Sequence, residues 1–412
     1  MRITRHWYVV AAIATALLIS SGARVAPGVF LPALTTEFGW TRSSISLAVS
    51  LGLILYGLSG PFIGTLIDRV GTRNTAIIGL CAIALSAVAG TFITNELGFA
   101  LTWGALSGIG TGIVGGVLGA AVATRWFVDR RGLVQGLFGA ATSAGQLLFI
   151  PLLALVTESM GWRTSSLVVA AVAAVLMIPI LAIVRTDPAD VGMVALGATA
   201  DTKPTPRMSE PGIMRKALAH RDFWLLSTTF FICGATSNGI IGTHLMAHAL
   251  EHGFTVAVTA SALAIMGIMN FVGTLGSGIL TDRYNPRRLL SVYYAFRGLS
   301  LFLLPFVHDP IGLTIFAILF GLDYIATVPP TVALTNEIFG ARNVPVVYGW
   351  IFCAHQFGAA LASWLGGVAH DARGDYLLAF LLAGVTAIVG SSLAVQIRKP
   401  QTTQGFLQET PS

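Results

Sequence analysis

Twelve apolar blocks, each about 20 residues long, constrain the fold of this 412-residue chain more than any other feature. A block of that length crosses the hydrocarbon core of a bilayer as one helix. In lipid only helices and closed barrels satisfy their backbone hydrogen bonds, and the blocks lack the strict alternation of barrel strands. Charged residues make up only 10% of the chain, whereas soluble domains carry about a quarter. We therefore predict an all-α integral membrane protein with twelve transmembrane helices.

A polar segment in the middle of the chain divides these predicted spans into two six-helix bundles. The first six spans cover roughly residues 8–33, 44–66, 75–94, 98–123, 133–157 and 162–184. The second six cover roughly residues 223–248, 259–280, 288–307, 311–335, 345–369 and 376–397. The predicted domains are an N-terminal bundle over 1–184, a cytoplasmic linker over 185–222, a C-terminal bundle over 223–399 and a cytoplasmic tail over 400–412. Within the linker, residues 202–207 are expected to be flexible and residues 212–220 to form a short surface helix.

One short polar loop occurs twice, after the second and the eighth span. Residues 64–74 read GTLIDRVGTRN and residues 278–288 read GILTDRYNPRR, so the two copies lie about half the chain apart. This duplication predicts two pseudo-symmetric halves, and transporters built from such repeats hold substrate near the midplane, between the halves. We predict that the two copies act as gating loops, because their charges reach helix ends that change partners between states. The residues concerned are Gly64, Asp68, Arg69, Gly71, Arg73, Asp282 and Arg283.

The placement of Lys and Arg predicts the orientation of the chain. With both termini in the cytoplasm, 19 of the 24 basic residues lie on the cytoplasmic side, and only Arg42, Arg163 and Arg373 lie on the other. Such a bias is typical of inner-membrane proteins, so we predict a multi-pass protein of a bacterial inner membrane. The net charge of +6 resides in these loops, which argues against a nucleic-acid partner.

The three cysteines, Cys81, Cys233 and Cys353, all fall within predicted spans. This position predicts buried structural thiols and no disulfide framework.

The two halves with a G-x-L-x-D-R-x-G-x-R loop after span 2 resemble the major facilitator superfamily. Residues 125–136, RWFVDRRGLVQG, and residues 161–163, GWR, resemble the corresponding segments of its bacterial monocarboxylate and oxalate–formate porters. The resemblance implies transport of a small organic anion, often together with a proton. Many members of the group that the chain resembles carry an arginine in span 8, and this chain has Thr274 at the corresponding position. The chain has no phosphate-loop, zinc-protease or nucleophile-elbow pattern, and we predict that it is not an enzyme and needs no cofactor.

Ionisable residues inside spans are energetically expensive and are therefore candidates for function. Arg24 lies in span 1 with no acidic residue near its depth on the same helix. Its planar fork binds a carboxylate through two hydrogen bonds, so we predict that it binds the substrate anion; the alternative is that it snorkels or bonds helix carbonyls. Asn238 matches Arg24 in the repeat. The further predicted substrate-binding residues are His244, Asn270, Tyr324, His355 and Gln356.

For each of these polar residues the alternative is a helix–helix hydrogen bond. A metal site on His244, His248 and His252, which share one helix face, is a weaker alternative, and we predict no metal.

Arg297 in span 9 and Asp323 in span 10 form a second candidate pair. Counted from the span ends at 1.5 Å per residue, their depths nearly coincide. An ion pair relieves the cost of burying either charge alone. The pair is either a strut between adjacent helices or the proton-coupling site, with Asp323 taking up the proton.

These observations together predict a proton-coupled secondary transporter of a small, carboxylate-like anion that works by alternating access. Its partners would be the anion, the proton and membrane lipid, and the chain would be monomeric. Proton-driven efflux of amphipathic compounds is the first alternative, and a non-transporting membrane sensor is the second.

Overall fold

The computed structural model describes residues 4–40, 42–199 and 208–398, and this part of the chain is almost entirely helical. Eleven of its helices are long and apolar enough to cross a membrane. The second of them, Arg42–Gly90, has 49 residues and is interrupted at Gly71, where φ is 81° and ψ is 162°. Glycine adopts this backbone conformation without a steric penalty. The interruption divides the helix into two spans, so the described residues contain twelve.

We number these spans 1 to 12 in chain order. Spans 1 to 6 are Arg5–Phe38, 42–70, 72–90, Glu96–Trp126, Arg131–Met160 and Trp162–Ile183. Spans 7 to 12 are Arg221–Glu251, Val256–Arg283, Pro286–Phe306, Pro310–Phe339, Ala341–His370 and Leu377–Gln396. The predicted all-α architecture of twelve spans in two groups of six is confirmed.

Three spans that the sequence predicts as continuous helices are interrupted in the structure. Span 4 contains a π-helical segment, Ala100–Leu106, and breaks near Val114, whose ψ is 58°. Span 7 contains a second π-helical segment, Ala235–Ile241. Span 10 consists of Pro310–Asp323 and Val328–Phe339, separated by a turn. Non-α segments of this kind often occur at functional sites.

The two halves touch along spans 2 and 11 and along spans 5 and 8. A Cβ added at Gly278 would lie 2.3 Å from the Gly132 carbonyl oxygen, and one at Gly64 would lie 2.6 Å from the Val346 nitrogen. The backbones therefore meet directly, as small residues permit in membrane helix pairs. These contacts lie at the end of the bundle that carries the duplicated loops, which we call the loop face. In this conformation the two halves are closed against each other at the loop face.

The described parts of the linker are ordered against the two bundles. Leu196 forms a β-bridge with Phe127, and its carbonyl accepts hydrogen bonds from Val128 and Asp129. The short helix predicted over 212–220 is present as Ile213–Ala219. The segment 202–207, predicted to be flexible, and the tail 400–412 lie outside the described residues.

The cysteine prediction is partly wrong. Cys233 and Cys353 are buried, but Cys81 is exposed on the surface of the bundle. A free thiol behaves as a small apolar group, so an apolar span accommodates it on a surface that faces lipid as readily as in the protein interior.

Candidate functional site

Arg24 lies beyond the middle of span 1, and its guanidinium carbon sits 4.9 Å from the centre of the Tyr56 ring in span 2. A guanidinium above an aromatic face is attracted by the ring quadrupole. Among the described residues, no carboxylate or other hydrogen-bond acceptor contacts this guanidinium. With Trp103 and Thr111 it lines a small cleft of the first half. The structure therefore presents a half-buried cation whose hydrogen-bond donors are free.

An aromatic contact chain leads from Arg24 into the second half. The Tyr56 ring meets the edge of Phe352 in span 11 at 5.6 Å. The Phe352 ring lies parallel to the His355 imidazole, with the ring centres 6.1 Å apart. The next aromatic contact joins the centres of the His355 and Phe230 rings, which lie 4.7 Å apart, and Phe230 belongs to span 7. Sequence reasoning did not select Phe352 or Phe230, because an aromatic residue in an apolar span gives no signal that distinguishes a site from the core.

Tyr324 and Gln356 both belong to the second half, in spans 10 and 11. The Tyr324 hydroxyl lies beside Gly242 of span 7, where an added Cβ would lie 3.1 Å from it. The Gln356 side chain covers Gly57 of span 2, where an added Cβ would lie 2.6 Å from the Gln356 Cβ. The structure thus places Arg24 and Gln356 at the contact between the two halves, and His355 is joined to that contact through Phe352.

Arg297 and Asp323 form a fully buried ion pair inside the second half. Arg297 Nε donates to Asp323 Oδ2 over 2.6 Å, and the side chains are 0% and 2% exposed. Arg297 also donates to the carbonyl oxygens of Asp323 and Tyr324, at 2.7 Å and 3.2 Å. Those carbonyls lie at the break in span 10, so the guanidinium supplies donors where helical hydrogen bonds are lost. Within the described residues Asp323 Oδ1 has no hydrogen-bond partner.

Cys233 connects this ion pair to His355. Its sulfur lies 3.0 Å from Arg297 Nη1 and 3.0 Å from Thr327 Oγ1. The His355 side chain packs against Gly234, the residue after Cys233, where an added Cβ would lie 3.1 Å from His355 Cγ. His355 Nδ1 has no partner among the described residues. The buried pair is therefore one side chain away from the aromatic chain that ends at Arg24.

Two of the remaining predicted substrate ligands, His244 and Asn270, make hydrogen bonds to other protein groups. His244 Nε2 lies 2.8 Å from the Ser363 carbonyl oxygen, within the second half. Asn270 donates to Ser143 Oγ over 2.8 Å and accepts from Thr274 over 3.1 Å. These contacts match the helix–helix alternative. Asn238 lies half-buried in the π-helical segment of span 7.

The second copy of the duplicated loop bridges the two halves. The Asp282 carboxylate accepts hydrogen bonds from the backbone N–H groups of Gly132 and Leu133, at 2.6 Å and 2.8 Å. These amides belong to the first turn of span 5, where backbone donors lack helical partners and the helix dipole favours negative charge. The contact stabilises the closed loop face.

The first copy makes different contacts. Asp68 pairs with Arg125 at 3.2 Å and accepts a hydrogen bond from the linker amide of Ser209 at 2.9 Å. Arg125 is almost fully buried; sequence reasoning used it only for the family resemblance and missed this role. Arg69 and Arg283 are exposed at the loop face, and Arg73 is half-buried.

Two six-span bundles that enclose a polar region between them are the architecture of a membrane transporter. The chain belongs to the Major Facilitator Superfamily, which it matches over residues 13–325 and 271–410. Membership confirms the predicted family and the prediction that this chain is a transporter and not an enzyme.

Three related sequences support the predicted branch. The chain is 28% identical over 384 residues to the uncharacterized MFS-type transporter YcxA of Bacillus subtilis (strain 168), covering 89% of this chain and 88% of that one. It is 25% identical to monocarboxylate transporter 13 of Bos taurus, over 90% of this chain and 84% of the relative. It is 26% identical to the oxalate:formate antiporter of Oxalobacter formigenes, over 95% and 90%. These matches confirm the resemblance to monocarboxylate and oxalate–formate porters.

Among solved structures, the major facilitator FucP in the outward conformation superposes with a TM-score of 0.74. The alignment covers 96% of this chain and 100% of that one at 17% identity, which shows a common fold.

Proposed function

We propose that this protein transports a small organic anion bearing a carboxylate group, by alternating access and coupled to protons. The observation that carries this proposal is the Arg24 guanidinium, which lies over Tyr56 with its donors free. A cation at this depth is costly without a counter-charge, and a substrate carboxylate supplies one with two matching acceptors. The relatives named for monocarboxylates and for oxalate and formate support the same substrate class.

The neighbours of Arg24 suit a compact anion. The Tyr56 and Phe352 rings offer an apolar wall to the part of the substrate that carries no charge. Tyr324 is the proposed polar neighbour, and its hydroxyl group would donate a hydrogen bond to the anion. One charged group, one polar group and an aromatic wall fit a small carboxylate better than a bulky amphipathic compound.

The Lys and Arg distribution supports an orientation with both termini and the loop face in the cytoplasm of a bacterial cell. In that orientation the closed loop face makes the described conformation one that opens away from the cytoplasm.

Asp323 is the proposed proton-coupling residue. Among the described residues its Oδ1 has no hydrogen-bond partner and is available to take up a proton. Arg297 and Cys233 lead from the pair towards His355 and the substrate region. Protonation of Asp323 removes the strongest partner of Arg297. Because Arg297 fastens the break in span 10, that change loosens spans 7, 9 and 10 relative to one another and favours a change of state.

The test is uptake of labelled mono- and dicarboxylates by proteoliposomes across an imposed pH gradient. We expect saturable uptake of at least one carboxylate. Loss of a hydrogen-bonded charge pair of about 1.5–3 kcal/mol corresponds to roughly 10- to 150-fold weaker binding in Arg24→Gln. Arg163→Gln is the matched control, because Arg163 pairs with Glu37 inside the first half.

Two outcomes contradict the proposal. One is that no carboxylate is bound or taken up. The other is that Arg24→Gln transports a carboxylate as well as the control does. Efflux of an amphipathic dye that depends on Asp323 but not on Arg24 would favour the efflux alternative.

A further inference from the structure

The two duplicated loops are not equivalent at the loop face. Asp282 of the second copy caps the first turn of span 5 directly, through the amides of Gly132 and Leu133. The offset that relates Gly136 to Gly349 places Pro345, in the first turn of span 11, at the position matching Gly132. Proline has no N–H to donate. Asp68 of the first copy therefore lacks one of the two amides that Asp282 uses.

The linker occupies this position instead. The Ser209 N–H donates to Asp68 Oδ2 over 2.9 Å, and the Ser209 hydroxyl donates to the Arg342 carbonyl oxygen over 3.1 Å. The Glu210 N–H donates to Asn343 Oδ1 over 2.8 Å. Ser209 and Glu210 thus touch the first half at Asp68 and the second half at residues 342–343, in the short 3₁₀ turn that begins span 11.

Two ion pairs strengthen this bridge at its ends. Arg342 Nη2 lies 3.0 Å from Glu210 Oε2, and the two side chains are 37% and 28% exposed. At the other end Asp68 is held by Arg125, and these side chains are only 9% and 1% exposed. Partly enclosed pairs that also hold backbone donors are screened less than isolated surface pairs. These contacts therefore form one connected set of hydrogen bonds and ion pairs that joins the two halves through the linker.

We propose that Ser209 and Glu210 form a strap that holds the loop face closed and so sets the ratio of the two transport states. The strap must release when the halves separate. Two consecutive residues span at most about 7 Å even when fully extended, so a larger separation of Asp68 from residues 342–343 breaks at least one set of bonds. Contacts made in only one state shift the equilibrium towards that state. This inference does not depend on the substrate.

The test is hydrogen–deuterium exchange of the full-length protein in lipid nanodiscs, without substrate. The variants are Glu210→Gln, Arg342→Gln and the double variant. Lys216→Gln is the matched control, because Lys216 pairs with Glu210 from the linker's own short helix and makes no connection between the halves. The reporters are the amides of Gly132 and Leu133, which no variant touches and which Asp282 protects only while the loop face is closed.

We expect these two amides to exchange about five- to tenfold faster in either single variant, in the range of typical conformational couplings. The double variant should exchange no faster than the single variants, because both remove one connection. Wild-type exchange rates at Gly132 and Leu133 in both single variants would overturn the proposal. Equal acceleration in Lys216→Gln would also overturn it. Because the assay contains no substrate, its failure leaves the carboxylate proposal untouched, and failure of uptake leaves the strap untouched.

Discussion

The buried pair of Arg297 and Asp323 gives the sharpest prediction, because its structural and functional roles lead to different results. The guanidinium donates to Asp323 Oδ2, to the carbonyls of Asp323 and Tyr324, and to Cys233. Nothing in this arrangement allows water to replace a lost partner, since both side chains are at most 2% exposed. Removing one member therefore leaves the other buried and uncompensated.

The size of the effect follows from this enclosure. Two unit charges about 4 Å apart at an effective dielectric of 20 attract by about 4 kcal/mol. Breaking a buried pair by removing one partner typically costs about 3–5 kcal/mol. We expect that loss in the free energy of unfolding for Asp323→Leu and for Arg297→Met. The double variant replaces the pair by apolar side chains of similar volume and should recover most of the loss.

The assay combines reversible unfolding in mixed detergent micelles with proton-driven uptake by proteoliposomes. If Asp323 carries the coupled proton, the double variant is stable but no longer couples transport to the pH gradient. If the pair is only a strut, the double variant is stable and couples as the wild type does. If the free energy of unfolding falls by less than about 1 kcal/mol in both single variants, the reasoning is refuted, because a buried unpaired charge destabilises a protein by more than that.

Three further predictions concern the loop face. Asp282→Ala removes a helix cap of about 1 kcal/mol, and we expect a roughly fivefold shift towards the open loop face in interspin distances between the halves; an unchanged distribution would contradict this. Gly278→Val should also open the loop face in that measurement, since its Cβ would clash with the span 5 backbone, whereas Gly276→Val, with open space around it, should not. Lys216 is the main cause that lowers the pKa of the Glu210 carboxyl. Glu210 thus contributes fully at neutral pH, and its contribution is lost only as pH falls through that lowered pKa, so a change in distances between pH 8 and 6 that depends on Glu210 would count against this role.

Depth in the membrane was predictable from the sequence, but the direction in which a side chain points was not. The length of the apolar blocks fixes where each span begins and ends, and a rise of 1.5 Å per residue then gives depth. This is why Arg297 and Asp323 were expected at the same level. Lipid tails are as apolar as a protein core, so hydropathy does not reveal which helix face meets protein. The sequence therefore predicts His244 and Asn270 as substrate ligands, whereas in the structure His244 Nε2 contacts the Ser363 carbonyl and Asn270 is hydrogen-bonded to Ser143 and Thr274.

The contacts of the linker lay beyond sequence reasoning for a different reason. Glu210 and Arg342 are 132 residues apart, and the segment around Ser209 is polar and has no periodicity. The interruption of span 10 was equally hidden, because a side chain from span 9 satisfies the carbonyls that it leaves without helical partners. Local sequence gives no sign of a partner that folding supplies from a distant span.

The division of charge between the halves bears on how coupling would work. Arg24 belongs to the first half, and the pair of Arg297 and Asp323 belongs to the second. The aromatic contacts that join them cross between the halves where the Tyr56 ring meets Phe352. Relative motion of the two bundles must change that contact, whereas contacts inside either bundle persist in a rigid-body movement. Proton and substrate would therefore sense each other most strongly in the conformation that keeps these two rings together, and substitution of Phe352 by alanine should weaken coupling more than it weakens substrate binding.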